Sequence, residues 1–223
     1  RPVSVVMPEN VSPAKLALTR NIGAEVILHG QTGSEALAHC EQLVAGGDYY
    51  FLHPHKCPPF LAGSETIARE IVEDRPDTSR IYVPIGGGGL LSAICAAAES
   101  SSTEIEVLGV EAEQAPAFAR SFQAGRPVAI AEMDTIADAL TINEPDGEVF
   151  DYVASRTSRI VTVSEEEIVN AMRSLFDEFR VIAEPGGAAS LAAMVKSDDG
   201  KNAAAIISGG NVSLDEFLQI TGS

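Results

Sequence analysis

The chain has 223 residues, 45% of them hydrophobic, which is enough apolar material for one or two cored domains. A net charge of −17 and a pI of about 4.5 argue against polyanionic partners, so neither nucleic acid nor an anionic membrane is expected as a ligand. No apolar run approaches the roughly 18 to 20 residues of a bilayer span, and no signal-peptide h-region opens the chain, so the expected location is cytoplasmic.

Lys15, Lys56, Lys196 and Lys201 are the complete set of lysines, and an acidic, lysine-poor surface of this kind suits a salt-loving organism. Solubility measured from low to molar salt tests that expectation. Cys40, Cys57 and Cys95 form an odd set with no C-x-x-C, which fits a reducing compartment.

In chain order, Val3 to Met7 reads as a strand closed by Pro8, and Asn10 to Pro13 starts a helix that runs to about Ile22. Gly23 ends it, Glu25 to Leu28 is the next strand, and Gly33 and Ser34 open a helix through Val44. Tyr49 to Leu52 reads as a third strand, so strand and helix alternate as in a parallel sheet. His53-Pro54-His55-Lys56-Cys57-Pro58-Pro59 breaks that rhythm and reads as an inter-domain crossing. Its His53, His55 and Cys57 could be zinc ligands, but no fourth ligand stands nearby and the prolines favour a rigid linker.

A helix is expected from Phe60 to Val72, then a strand from Ile81 that empties into Gly86-Gly87-Gly88-Gly89 and a helix from Leu91 to Ala98. Glycine lacks Cβ, so four in a row let the backbone curl, and the unpaired N–H groups of the following helix face whatever sits in the curl. That is an anion cup or a close-packing turn. The spacing is not G-x-G-x-x-G and no Lys-Ser/Thr pair follows, which disfavours a dinucleotide and a P-loop. Ile105 to Val110 is the next strand, with Glu111 to Ala115 at its C-terminal end, where ligands of open α/β sheets collect.

A helix to about Phe122 precedes a long irregular connection from Ala124 to Glu144, and such connections are often functional. Val149 to Ala154, Ile160 to Val163 and Glu165 to Phe179 read as helix, strand and helix, the last capped by Ser164. Glu184-Pro185-Gly186-Gly187 leads into an alanine-rich helix to Val195, and a closing strand, Ala203 to Ile207, ends in Ser208-Gly209-Gly210-Asn211. Two strands ending in glycine runs, one beside a hydroxyl, could hold one ligand with a phosphate at one end and a polar ring atom at the other.

Five motifs, in this order, resemble the pyridoxal-phosphate enzymes of the tryptophan-synthase-β fold (fold type II), closest to the threonine dehydratases and serine racemases. They are Pro54 with Ala62 to Ile71, Gly86 to Leu90, Thr135-Ile136-Ala137-Asp138, Glu184 to Ala189, and Ser208 to Asn211. The resemblance spans Val3 to about Thr221. It implies an α/β fold with two open, mostly parallel sheets flanked by helices, both domains incomplete: residues 1–53 as the remainder of a small domain and 54–223 as the large cofactor-binding domain.

The resemblance further implies pyridoxal 5′-phosphate as cofactor. Gly86, Gly87, Gly88, Gly89 and Leu90 would hold its phosphate, and Ser208, beside Gly209, would bond the pyridine nitrogen. A neutral hydroxyl there leaves the ring a weaker electron sink than a carboxylate partner would. That suits loss of a β-hydroxyl from a small hydroxy amino acid. Glu184 matches a glutamate near the ring, with helix capping as the other reading. Glu111 with the Ala115 carbonyl matches a divalent-cation site of some members, although Ala117 stands where those supply a second carboxylate, and Ala139 stands where glycine is usual. The Ser-x-Lys motif that carries the cofactor-linking lysine does not occur, so no catalytic residue is assigned and the chain alone is expected to be inactive. The full-length form is expected to be a homodimeric threonine or serine dehydratase. The alternatives are a serine racemase, a non-catalytic piece or subunit that binds a phosphate-bearing ligand, and a nucleotide-binding protein with Glu111 at a ribose.

Overall fold

The structure is a computed structural model that describes residues 2–11, 13–53, 55–101, 103–157, 159–197 and 202–222. It divides into two compact units, Arg1–His53 and Pro54–Ser223.

In the first unit, β1 (Ser4–Met7) pairs in parallel with β2 (Glu25–Leu28), Ser4 opposite Glu25 and Met7 opposite Leu28, with α1 (Pro13–Asn21) as the connection. Gly23, at φ +88°, reverses the chain between α1 and β2. α2 (Gly33–Ala45) starts with a capping box: Thr32 accepts from the Glu35 N–H, and the Glu35 side chain accepts from the Thr32 N–H in return. The strand expected at Tyr49 to Leu52 does not form. That segment is irregular, with Tyr50 78% and Leu52 60% exposed, and aromatic β-propensity has no effect without a pleated surface to pack on.

The second unit opens with α3 (Pro58–Asp74), whose first-turn prolines give up N–H groups that have no helical partner in any case. There follow β3 (Arg80–Pro84), α4 (Gly89–Glu99), β4 (Glu106–Ala112), α5 (Ala117–Ala124) and a single 3-10 turn at Asp138–Leu140. α6 (Gly147–Ala154), β5 (Ile160–Val163), α7 (Glu165–Phe179), α8 (Pro185–Ser197), β6 (Ala203–Ala205) and α9 (Leu214–Thr221) complete it. α8 starts at Pro185 and so runs through both glycines. β6 stops at Ala205, two residues before the expected strand end. α9, capped by Ser213, was not expected from the sequence.

All four strands are parallel, in the order β5-β4-β3-β6. Both faces are covered, which is why β3 and β4 are near-continuous apolar runs and not alternating ones. Ile81, Val83 and Ile85 face Leu91, Ile94 and Phe118, on the side of α3, α4 and α6. Tyr82, Leu108 and Val110 face Ile168, Met172 and the alanines of α8 on the other side. Small residues let α8 lie close enough for the Ser190 hydroxyl to donate to the Ile206 carbonyl at 2.5 Å. Arg80, 4% exposed, keeps its charge by donating to the Glu106 carboxylate at 2.8 and 2.6 Å. Among the described residues no helix is long and apolar enough to cross a membrane.

Candidate functional site

The strand order places a switch point between β3 and β6. From β3 the chain moves outward to β4 and β5, then returns to the other side of β3 as β6. Connections that diverge from two neighbouring parallel strands leave a crevice at their C-terminal ends. The two glycine-ended segments, Gly86 to Gly89 after β3 and Ser208 to Gly210 after β6, both leave the sheet there.

Gly86, Gly87 and Gly88 have no room for side chains. A methyl on Gly86 would lie 2.9 Å from the Ala139 carbonyl oxygen, one on Gly87 would overlap the His55 ring, and one on Gly88 would lie 2.6 Å from Cγ1 of Val149 and 3.0 Å from Cζ of Phe118. Gly88 also sits at φ +87° as the N-cap of α4, a conformation that glycine adopts without strain. Among the described residues the N–H groups of Gly86 to Leu90 meet no hydrogen-bond acceptor, and the first such bond of the helix runs from Ser92 N–H to the Gly88 carbonyl at 2.9 Å. Unpaired donors at a helix N-terminus, in a loop narrowed to backbone, make an anion cup.

Gly89, Leu90 and Ser208 line one cavity of about 610 Å³, together with β6 and the Phe60, Ser64, Ile67 and Ile71 face of α3. Ser208 is exposed there. Gly209 is held on both sides: its N–H and C=O face Gly187 so closely that a methyl on Gly187 would clash with them, and Oε1 of Glu184 fills the place of a Gly209 side chain. The Glu184 N–H donates to the Gly209 carbonyl at 3.1 Å. Glu184 therefore stands directly before α8 and beside the Ser208 loop, a placement compatible with both of its readings.

The 3-10 turn at the end of the Thr135-Ile136-Ala137-Asp138 segment packs between Gly86 and Gly186. Ala139 and Leu140 pack against Gly86 on one side and, 3.3 Å from a methyl on Gly186, against α8 on the other. Ala139 itself supplies both contacts, its carbonyl to Gly86 and its methyl to Gly186.

Glu111 is fully buried, and its two oxygens accept from the Phe118 and Ala119 N–H groups, each at 2.8 Å, at the start of α5. Burial pushes its carboxyl up to about 7, against the opposing pull of those two donors. The Ala115 carbonyl accepts from the Ala117 N–H at 3.1 Å. Among the described residues, no group of three or more His, Cys, Asp or Glu side chains is placed to hold a metal ion, the segment with His53, His55 and Cys57 included. Lys56 lies 2.7 Å from Asp146 and 2.9 Å from Glu148, and Lys196 lies 3.0 Å from Glu167, so neither faces the cup as an amine nucleophile; Lys201 lies outside the described residues.

The His55 contact with Gly87 had no signal in the sequence, because a residue of the linker reaches a loop 32 positions away. Local pattern cannot report such a distance.

A family model described as pyridoxal-phosphate dependent enzyme matches residues 2–209. An L-threonine ammonia-lyase of Thermotoga maritima is 37% identical over 221 residues, which are 98% of this chain and 55% of that protein. The catabolic L-threonine dehydratase of Escherichia coli K12 is 35% identical over 223 residues, again 98% of this chain and 68% of that protein. The chain thus spans about half to two thirds of the length of these relatives. Among solved structures, the processed threonine deaminase isoform 2 of Solanum lycopersicum superposes with a TM-score of 0.88 at 26% identity, covering 99% of this chain and 66% of that one. Maize serine racemase gives a TM-score of 0.88 at 27% identity, covering 98% and 68%.

Proposed function

Because the chain belongs to the pyridoxal-phosphate-dependent enzyme family, we propose that the full-length protein is an ammonia-lyase that converts L-threonine or L-serine into a 2-oxo acid and ammonia. The observation that carries this is the pairing of a backbone anion cup at the end of β3 with the Ser208 hydroxyl at the end of the neighbouring strand, Gly89, Leu90 and Ser208 lining one cavity. The relatives named for threonine deamination support the substrate class.

In this reading the N–H groups of Gly86 to Leu90 hold the cofactor phosphate, and the dipole of α4 adds to their pull. The Ser208 hydroxyl would donate to the pyridine nitrogen, and Glu184, whose Oε1 takes the space of a Gly209 side chain, would lie beside the ring. When bound, pyridoxal phosphate supplies an electron sink for the pair left at the substrate α-carbon, which assists departure of a β-hydroxyl. Ser208, as a neutral donor, would leave the ring a weaker electron sink than a carboxylate partner would. The covalent link and the α-proton transfer are assigned to no residue of this chain, since no Ser-x-Lys motif occurs in it. Glu111 is assigned to the start of α5 and not to a cation, because both of its oxygens are already engaged. A cytoplasmic, homodimeric enzyme working in high salt completes the proposal, with the lysine-poor acidic composition as support for the salt.

The test is product analysis of the purified full-length protein supplied with pyridoxal phosphate. Formation of 2-oxobutanoate from L-threonine or pyruvate from L-serine supports the lyase. D-serine as the sole product would replace it with a racemase, a reading favoured by the likeness to maize serine racemase.

A further inference from the structure

The His55 imidazole is a side-chain neighbour of the glycine cup. The His55 imidazole meets Gly87 edge-on: of its atoms, Nε2, Cε1 and Cδ2 come nearest the place of a Gly87 side chain, with Nε2 the nearest of the three. The nitrogen-bearing edge therefore faces the loop. The atoms nearest the place of a Gly86 side chain are backbone atoms of Ala139 and Leu140, and those nearest the place of a Gly88 side chain are hydrocarbon of Val149 and Phe118.

Charge makes this contact informative. The chain carries a net charge of −17, which opposes a dianionic phosphate, and residues 86–90 contain no cationic side chain. The cation next to His55 in sequence, Lys56, is engaged with Asp146 and Glu148. Backbone donors supply geometry and partial charge, whereas an imidazole N–H adds a directed donor that can carry a full charge.

Resting on the cofactor reading above, we propose that His55 is a side-chain ligand of the anion in the glycine loop, donating from Nε2 to a phosphate oxygen beside Gly87. It is a binding residue, and the bond-making steps do not pass through it. His55 also lines a separate cavity of about 250 Å³ with Lys56, Glu65, Glu148 and Tyr152.

The experiment compares wild type, His55→Gln and His55→Leu in the full-length apoprotein. Glutamine places an N–H donor at the reach of Nε2, and leucine keeps bulk without a donor. Dissociation constants are measured by calorimetry for inorganic phosphate and by absorbance for pyridoxal 5′-phosphate and for pyridoxal, which lacks the phosphate. The expected result is a loss of about tenfold to a hundredfold for both phosphate-bearing probes in His55→Leu, the scale of one charge-assisted hydrogen bond. Pyridoxal affinity should hold steady, and His55→Gln should recover most of the loss. The 31P signal of bound phosphate should shift in His55→Leu and return toward its wild-type position in His55→Gln.

Equal or tighter phosphate binding in His55→Leu overturns the proposal, tighter binding meaning that the ring obstructs the cup. Parallel losses for pyridoxal and pyridoxal phosphate would mean a folding defect and overturn it as well. Failure of wild type to bind pyridoxal phosphate would instead sink the cofactor reading.

Discussion

Residues 1–53 and residues 54–223 use the same parallel strand-and-helix grammar, and both even open a helix with a capping box, Thr32 with Glu35 in one and Ser164 with Glu167 in the other. Their interiors differ sharply. Among the described residues, every fully buried hydrophobic except Ala36 belongs to the second unit. The first has two short strands, β1 half-buried throughout and β2 half-buried only at Val26 and Ile27, and a two-stranded sheet is marginal without more surface to bury. Local signals thus decide where helices start in both units, while burial decides which unit can hold a backbone loop rigid. The unpaired donors of the glycine cup belong to the unit with the core.

The largest expected difference comes from the cores. Leu91, fully buried on α4, should cost about 2 to 5 kcal/mol as Leu91→Ala, and half-buried Ile27 in β2 less than half as much as Ile27→Ala. Urea unfolding followed by far-UV circular dichroism reads both, and equal losses would erase the contrast.

Next in size is the pH dependence from Glu111. Its folded value, about 7, lies above its ordinary 4.5, so the protonated form is favoured in the folded protein. The stabilisation from this group is therefore full below about pH 4.5 and is lost as pH rises through 7, a change of about 3 kcal/mol. Relative to Glu111→Gln, the stability of the wild type should fall between pH 4 and pH 8. A constant difference across that range would show that the α5 amides hold the carboxylate charged.

Gly187→Ala should cost about 1 to 3 kcal/mol, because the new methyl meets the Gly209 backbone and not a movable side chain. Gly63→Ala, with nothing within 4 Å, serves as its control on an open helix surface. The smallest effect separates the units on identical chemistry: Ser164→Ala and Thr32→Ala each remove one cap worth about 1 kcal/mol. In hydrogen exchange, the first should lower protection through α7 and leave the rest of its unit folded. The second should open α2 to near-complete exchange, since little core lies beneath it. Equal protection in the two helices would contradict the difference in packing.

The elements legible in the sequence were those set by local chemistry. Ser164 with the acids after it, Gly23 closing a helix, and the apolar run ahead of four glycines each act within a few residues, and each appears where the pattern puts it. Tyr49 to Leu52 failed because strand propensity reports a fit to a surface that this unit does not provide. The helix from Pro185 was read late, because Gly186 and Gly187 look like a turn by composition, and only their closeness to Gly209 and Leu140 explains glycine inside a first helical turn. In the candidate site, the cup and Ser208 were legible as types. That β3 and β6 are neighbours follows from the strand order, which no local pattern encodes. The roles of Ala139 and His55 at the cup are contacts across tens of residues and lie beyond what periodicity can carry.

The walls of the tetraglycine also bear on how this sequence can drift. At position 87 the obstacle is a side chain, so a substitution there becomes admissible once His55 is replaced by something smaller, and the two positions should change together. At position 86 the obstacle is the Ala139 carbonyl, which every residue type possesses, so no exchange at 139 opens a path. Position 88 is closed twice, by Val149 with Phe118 and by its left-handed backbone. Three adjacent glycines, identical in composition, therefore differ in evolutionary freedom: one has a single permissive partner, one has none, and one needs a rearranged backbone. A saturation library built on His55→Ala should recover variants at 87 while 86 and 88 stay glycine.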